Sequence, residues 1–502
     1  MTPWLSYKRW GRWLWKPPEI PTLILILISG MTILGLVTFP NYFCGGLYNI
    51  DVDFHRKEIH HVSRGSLLPI GMHVSPSVTF PLIPIYLVGD LLGIIAYQWF
   101  SILFGAIGIY LYAKEVLPYG RLWPVIQFFG MWGLYGALAG NIYIDVVGAM
   151  GIPYLFYFFH RKKWFLFSIA FLFVLLAKEH YSMLLTSISI GLLWIYRKEN
   201  ARRDILKMSF FILIALLYLF LATKYIIPYY CKVKGYAIER IDQLYKHLWA
   251  DNPLYPSVYA STLIEKVKFI ARNWRYIWTL LWVEPPIEYM YGHTCQQLFG
   301  IKWETHMAVI LSGGWTFLYN GLIFLFILLP IYIYKLLSME PQMWGTMAHY
   351  SIEFAVVLPI ALIWSMRNSL PKLIPLIGFI GAFMAHLTNY LLMEKRFSLW
   401  YYPQLMRWYS CEHYCPYEKY KSIRKAASLV PKETSYYTEI RHAPYISVSS
   451  LYRKNIEEAD YIFAIKEGYF AFPVDSLQRL KDSGQWETLH DDNYTTVLRR
   501  KK

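Results

Sequence analysis

Seven apolar runs, at 20–39, 91–113, 122–139, 206–227, 316–337, 350–366 and 373–393, dominate the chain. A helix needs roughly 20 apolar residues, each rising about 1.5 Å, to cross a ~30 Å hydrocarbon core. Each run is near that length. Shorter apolar runs lie at 78–89, 147–160, 164–177 and 181–196. The first long run is too long for a cleaved signal peptide, and no small-residue cleavage site follows it. The 502 residues are 56% hydrophobic and only 16% charged, where a soluble domain carries about 25%. Lipid must therefore be the solvent for much of the chain. The net charge of +16 is a poor signal of nucleic-acid binding in such a chain. Ordinary Gly and Pro content and five cysteines exclude collagen-like and disulfide-scaffold classes. The expected fold is mainly α, a polytopic transmembrane protein of about ten to twelve helices.

Charge orients these segments, because cytoplasmic loops are enriched in Lys and Arg. The N-terminal tail, 1–19, carries Lys8, Arg9, Arg12 and Lys16. With that tail in the cytoplasm, three more basic stretches return to the same side. They are Lys114 with Arg121, Arg161–Lys163, and Arg197, Lys198, Arg202, Arg203 and Lys207. These four segments hold 14 basic residues against four acidic ones. The opposite side then receives the outer loop 40–77, the turn from Asn141 to Asp145 and the turn Lys178-Glu179-His180. The expected location is a prokaryotic cytoplasmic membrane.

The second outer loop, 228–305, is of mixed polarity. Ile270, Trp274, Trp278 and Trp282 recur there every four residues, the pattern of an amphipathic helix at the membrane interface. The transmembrane domain spans 20–393. Beyond it, 394–502 carries 32 charged residues in 109, a soluble composition. Its pattern reads as a small α/β domain on the extracytoplasmic side. Residues 417–429 and 474–483 are helix-like; 459–466 and 494–498 are strand-like.

A few residues stand out as carriers of chemistry. Asp51 and Asp53 share one side if their segment is extended. There they would act as general base or hold a divalent cation as a cofactor; a solvated loop is the blander and, on these two residues alone, the favoured reading. His73 precedes Ser75-Pro76, a pair suited to capping a helix. Lys178-Glu179-His180 follows a run of only 14 residues. That run reaches about 21 Å, so the turn is expected below the outer interface, where ionisable groups default to function. The bland alternative is a self-neutralising Lys178–Glu179 pair. Asp145 is a second candidate acid or a helix cap. Lys224 and His349-Tyr350 lie at helix ends, where snorkelling and buried contacts compete with ligand roles. Cys411 and Cys415 are spaced for a local disulfide in an oxidising compartment.

Several short motifs in register resemble an uncharacterised membrane protein family, domain of unknown function 2079. They are His73-Val-Ser-Pro76, Ala177-Lys178-Glu179-His180, Ala222-Thr-Lys224 leading to Pro228-Tyr229, Ala348-His349-Tyr350-Ser351 with Pro359, and Ala459-Asp-Tyr-Ile with Tyr494 to Arg500. The family is similar to the C-type polytopic glycosyltransferases. That resemblance implies a polyprenyl-phosphate sugar donor, an extracytoplasmic site and an acidic base in the first outer loop. The base maps to Asp51 or Asp53, and Lys178 to the donor phosphate. The second outer turn departs from the family pattern: Asp145 is followed by Val-Val-Gly148 and lacks the expected His and Glu. The leading expectation is transfer of a sugar from the lipid donor to a glycan, lipid or protein acceptor. A transporter or flippase for a lipid-linked or anionic substrate, or an inactive membrane scaffold, are the alternatives.

Overall fold

The computed structural model describes residues 19–45, 51–65, 75–139, 143–234, 263–284, 300–320, 322–337, 341–346, 351–394, 407–453, 455–468 and 471–501. Helix α1 runs Glu19–Phe43, α2 Asp51–Ser63 and α3 Pro76–Val116. The run at 122–139 divides into α4 (Trp123–Gly130) and α5 (Trp132–Leu138). Then follow α6 (Ile144–Ala149), α7 (Ile152–His160), α8 (Trp164–Leu175), α9 (Tyr181–Ile195) and α10 (Arg202–Leu221). A π-helical stretch, Ala222–Ile226, continues α10 into α11 (Ile227–Lys234). Further on lie α12 (Leu263–Trp282), α13 (Ile301–Val309), α14 (Thr316–Asn320), α15 (Ile323–Leu336), α16 (Pro341–Trp344), α17 (Ile352–Arg367) and α18 (Ile374–Glu394).

Among the described residues, four helical segments are long and apolar enough to cross a membrane: Glu19–Phe43, Pro76–Val116, Arg202–Tyr229 and Pro371–Glu394. Helices α8, α9 and α15 are apolar but shorter. The solvent-like role of lipid is visible on α10, where Leu206, Phe210, Leu213 and Leu217 are all more than half exposed. By contrast α17 is apolar on every side and is buried except at Trp364 and Arg367. Such a helix belongs inside a bundle, and it packs against α3 to α7, α15 and α18.

Helix α3 is one helix by hydrogen bonding but two by direction. Asp90 breaks it at φ 47°, ψ −133°, a backbone region costly for a residue with a side chain. On α12, Trp274 and Trp278 are more than half exposed while Leu280 is buried, as an interfacial helix requires.

The C-terminal region has a five-stranded sheet in the order β2-β1-β3-β5-β4. Its strands are β1 (Ser435–Tyr437), β2 (Leu451–Tyr452), β3 (Tyr461–Ile465), β4 (Trp486–Asp491) and β5 (Thr495–Arg500). β3 and β5 run antiparallel, with Ile462 opposite Leu498 and Phe463 opposite Val497. Side chains alternate across the sheet. Phe463, Ile465 and Val497 therefore meet Ile423 and Ala426 of α19 (Tyr417–Ser428). Ile462, Ala464 and Leu498 meet Leu477 of α20 (Val474–Asp482) and Phe472.

This sheet region is fastened to the helical part at several points. Cys44, just beyond α1, is disulfide-bonded to Cys415. The expected Cys411–Cys415 bond is thus not formed, and Cys411 is a free, exposed thiol. The partner of Cys415 lies 371 positions away, beyond the reach of any local spacing rule. The Tyr445 hydroxyl donates to Tyr42 O at 2.6 Å, and His413 Nε2 donates to Leu36 O at 2.7 Å.

Candidate functional site

The sharpest charged feature is the break between α8 and α9. Helix α8 has 12 residues, about 18 Å, well short of the ~30 Å core. Its end falls against α6. Gly148 makes this approach possible: a Cβ there would lie 2.5 Å from Ala177 Cβ and 3.0 Å from the Tyr181 ring. The close packing brings Lys178 Nζ to 2.9 Å from Asp145 Oδ2, with both side chains buried. Asp145 sits in the first turn of α6, whose N-cap position is Tyr143; its carboxylate faces Lys178. The Tyr181 hydroxyl donates to the backbone oxygen of Asp145 at 2.5 Å, which holds the two elements in register. Lys178 is thus ion-paired with Asp145, and the neighbouring Glu179 is half-buried.

One residue further on, His180 turns the other way. Its Nε2 lies 3.0 Å from Glu353 Oε1, and its ring stacks on Tyr334 with centroids 5.3 Å apart. Glu353 lies in the first turn of α17, where a helix N-terminus favours negative charge. Both side chains are buried. Among the described residues, His180 Nδ1 and Glu353 Oε2 have no hydrogen-bond partner. Nearby, Lys335 is fully buried and donates to Ser351 Oγ at 2.8 Å and Gly345 O at 2.5 Å. Lys178 and His180, two residues of one turn, therefore feed two buried pairs on either side of Tyr181, which donates to Asp145 O and has its ring 4.4 Å from that of His180.

A second cluster lies where α2, α3 and the sheet region meet. Arg56 Nε and Nη2 donate to the two oxygens of Asp90 at 2.7 and 2.5 Å, a bidentate fork. Its Nη1 donates to Pro444 O and Ile446 O at 2.9 and 2.6 Å. Arg56 is buried although half of Asp90 is exposed. His60 Nδ1 lies 3.0 Å from the Tyr86 hydroxyl. Burial, then the Arg64 charge, pushes the His60 pKa below its ordinary value.

Asp51 and Asp53 open α2, so their segment is helical and not extended. Their side chains lie outside the described residues, as do His73, His349 and Tyr350 altogether. Ser75 occupies the cap position of α3 with Pro76 at the first helical position, but its backbone, not its side chain, does the capping. Lys224 is half-buried in the π-helical stretch after α10. Among the described residues no three His, Cys, Asp or Glu side chains gather as a metal site.

Glu353, Lys335, Arg56 and Asp90 were not singled out by sequence reasoning. For Glu353 a signal existed: it is the only acidic residue in the run 350–366, and an ionisable group inside a membrane segment is costly. Asp90 was visible as the break between the runs 78–89 and 91–113.

Fold and buried charges together define a polytopic membrane protein with an ionisable site sunk into its helical bundle. The chain belongs to the family described as predicted membrane protein (DUF2079), whose model matches residues 54–466. No protein of curated function matches it. Among solved structures the chain is similar to ArnT from Cupriavidus metallidurans, determined with bound undecaprenyl phosphate. The identity is 9%, the TM-score 0.47, and the alignment covers 96% of this chain and 98% of that one.

Proposed function

We propose that the protein is a membrane glycosyltransferase that moves a sugar from a polyprenyl-phosphate donor to an acceptor on the extracytoplasmic side. The single observation that carries this reading is Lys178: a buried ammonium at a helix break inside the bundle, held at 2.9 Å by Asp145. Keeping two charges there costs desolvation that an apolar pair would avoid, so a structural role alone is a weak reason for it. A lysine at that depth is suited to a phosphate, which it meets as a point charge.

In the proposed reaction an acceptor hydroxyl attacks the anomeric carbon. Asp51 or Asp53 takes the hydroxyl proton, and the lipid phosphate leaves with the bonding electrons. Lys178 stabilises the negative charge that grows on that phosphate. Asp145 positions the Lys178 ammonium, with its ion pair loosening as the donor phosphate arrives. The sheet region, docked on α1 and α2 through Arg56 and the Cys44–Cys415 bond, would shape acceptor access.

Two observations support the orientation within this proposal. Fourteen basic residues fall in four segments on the side assigned to the cytoplasm. The disulfide lies at the opposite end of α1 from the basic tail, and disulfides persist in oxidising compartments outside the cytosol. The test is replacement of Asp51→Asn and Asp53→Asn, singly and together, with surface-glycan profiling of cells. Loss of one glycan component in the double variant supports the proposal. A water-accessible path that opens alternately to both sides, detected by thiol labelling, supports transport instead.

A further inference from the structure

The basic ends of α8 and α10 frame a groove that the proposed chemistry does not use. It has a volume of about 400 Å³ and is lined by Trp164, Ser168, Leu206, Lys207, Phe210 and Phe211. Phe211 forms its floor, with ring centroids 5.0 Å from Phe167 and 4.9 Å from Phe171. Leu206 and Phe210 form an exposed apolar wall. The groove is therefore shaped for a hydrocarbon chain.

The charge at its mouth has one sign. Lys207 Nζ lies 4.5 Å above the Trp164 ring and has no carboxylate partner among the described residues. Residues four apart share a helix face, so Arg203 stands one turn above Lys207. Lys163 immediately precedes Trp164, and both Lys163 and Arg203 are exposed. The nearby carboxylate of Asp204 is already taken: it accepts from Lys162 Nζ at 2.9 Å and from the backbone N–H of Ala201 at 3.3 Å. Helices α8 and α10 both begin at this end, so the positive ends of two helix dipoles point the same way.

We infer that this groove binds one anionic phospholipid, its headgroup phosphate against Lys207 and Arg203 and one acyl chain along Leu206 and Phe210. Charge complementarity selects the headgroup: a cationic mouth on the side assigned to the cytoplasm faces the leaflet that carries acidic lipid. Trp164 lies beside Lys207 at the groove's mouth, and indole rings favour the membrane interface.

The test is native mass spectrometry of the purified full-length protein, delipidated and titrated with phosphatidylglycerol or phosphatidylcholine. One retained phosphatidylglycerol, in preference to phosphatidylcholine, is the expected result. Lys207→Gln with Arg203→Gln is expected to weaken that retention about 30-fold, from roughly fivefold for each charge removed near the membrane surface. Lys372→Gln, which removes an exposed charge from a different turn, leaves it unchanged. Circular dichroism checks that the variants stay folded; Lys207→Arg restores binding if charge is the cause. Equal retention of the two lipids, or retention unaffected by the double variant, overturns the inference. Preferential retention of undecaprenyl phosphate over phosphatidylglycerol overturns the choice of lipid.

Discussion

At the scale of single residues, Lys178 and Asp145 are separable in their structural and functional parts. Lys178→Met leaves a buried carboxylate without its counter-charge, which costs about 3–5 kcal/mol. Adding Asp145→Asn removes that charge, so the double variant is expected to recover most of the stability in thermal unfolding in detergent. Glycan transfer is expected to stay lost, because the ammonium is gone. Recovery of both would make the pair structural. Asp491 offers a titration test outside the membrane. Burial opposes its ionisation, but hydrogen bonds from Lys466, Lys481 and Thr496 override that and hold its carboxyl below the usual range. A depressed carboxylate stabilises the fold fully above its unfolded pKa of about 3.9 and loses that contribution as pH falls toward the folded value. The protection of β4 and β5 against hydrogen exchange, corrected for the pH dependence of the intrinsic rate, is expected to fall on acidification below about pH 4. Lys466→Met should raise the folded-state pKa and so shrink this acid-dependent loss of protection; an unchanged loss would remove Lys466 from the account.

At the scale of elements, the approach of α6 to the α8–α9 break depends on Gly148. An alanine there meets Ala177 Cβ at 2.5 Å, and forcing such contacts typically costs about 1–3 kcal/mol. Gly148→Ala is expected to lower the unfolding temperature and the glycan-transfer rate together, by displacing Lys178 from Asp145. Unchanged stability would show that the break yields without strain. Much of this layer was legible in the chain. The helices lie where the apolar runs lie, because lipid imposes a local demand on every residue of a span. The 14-residue run before Lys178 pointed to an enclosed turn, and Lys178 is buried. Partner choice was not legible. Nothing near His180 in sequence indicates Glu353, which is 173 positions away, and a pair of aspartates reads as extended or helical with equal ease. Gly148, in the turn after Asp145 that departs from the family pattern, packs closely against Ala177.

At the scale of the whole molecule, the sheet region and the helical bundle are joined by one disulfide among the described residues and by hydrogen bonds that include those of Arg56, Tyr445 and His413. Cys44 and Cys415 were both visible as cysteines, but local spacing pointed to Cys411 because only tertiary structure brings Cys44 to Cys415. A membrane-impermeant maleimide applied to intact spheroplasts is therefore expected to label Cys411 directly, and Cys44 and Cys415 only after reduction. Labelling of Cys415 without reductant would contradict the tether, and failure to label Cys411 from outside would contradict the orientation. The account as a whole rests on glycosyl transfer at the first outer loop. Its most direct test is the surface-glycan profile of cells carrying Asp51→Asn with Asp53→Asn, with insertion verified by fractionation. The account predicts that one glycan component present in the wild type disappears. An unchanged profile, with the double variant inserted at normal level, would contradict it.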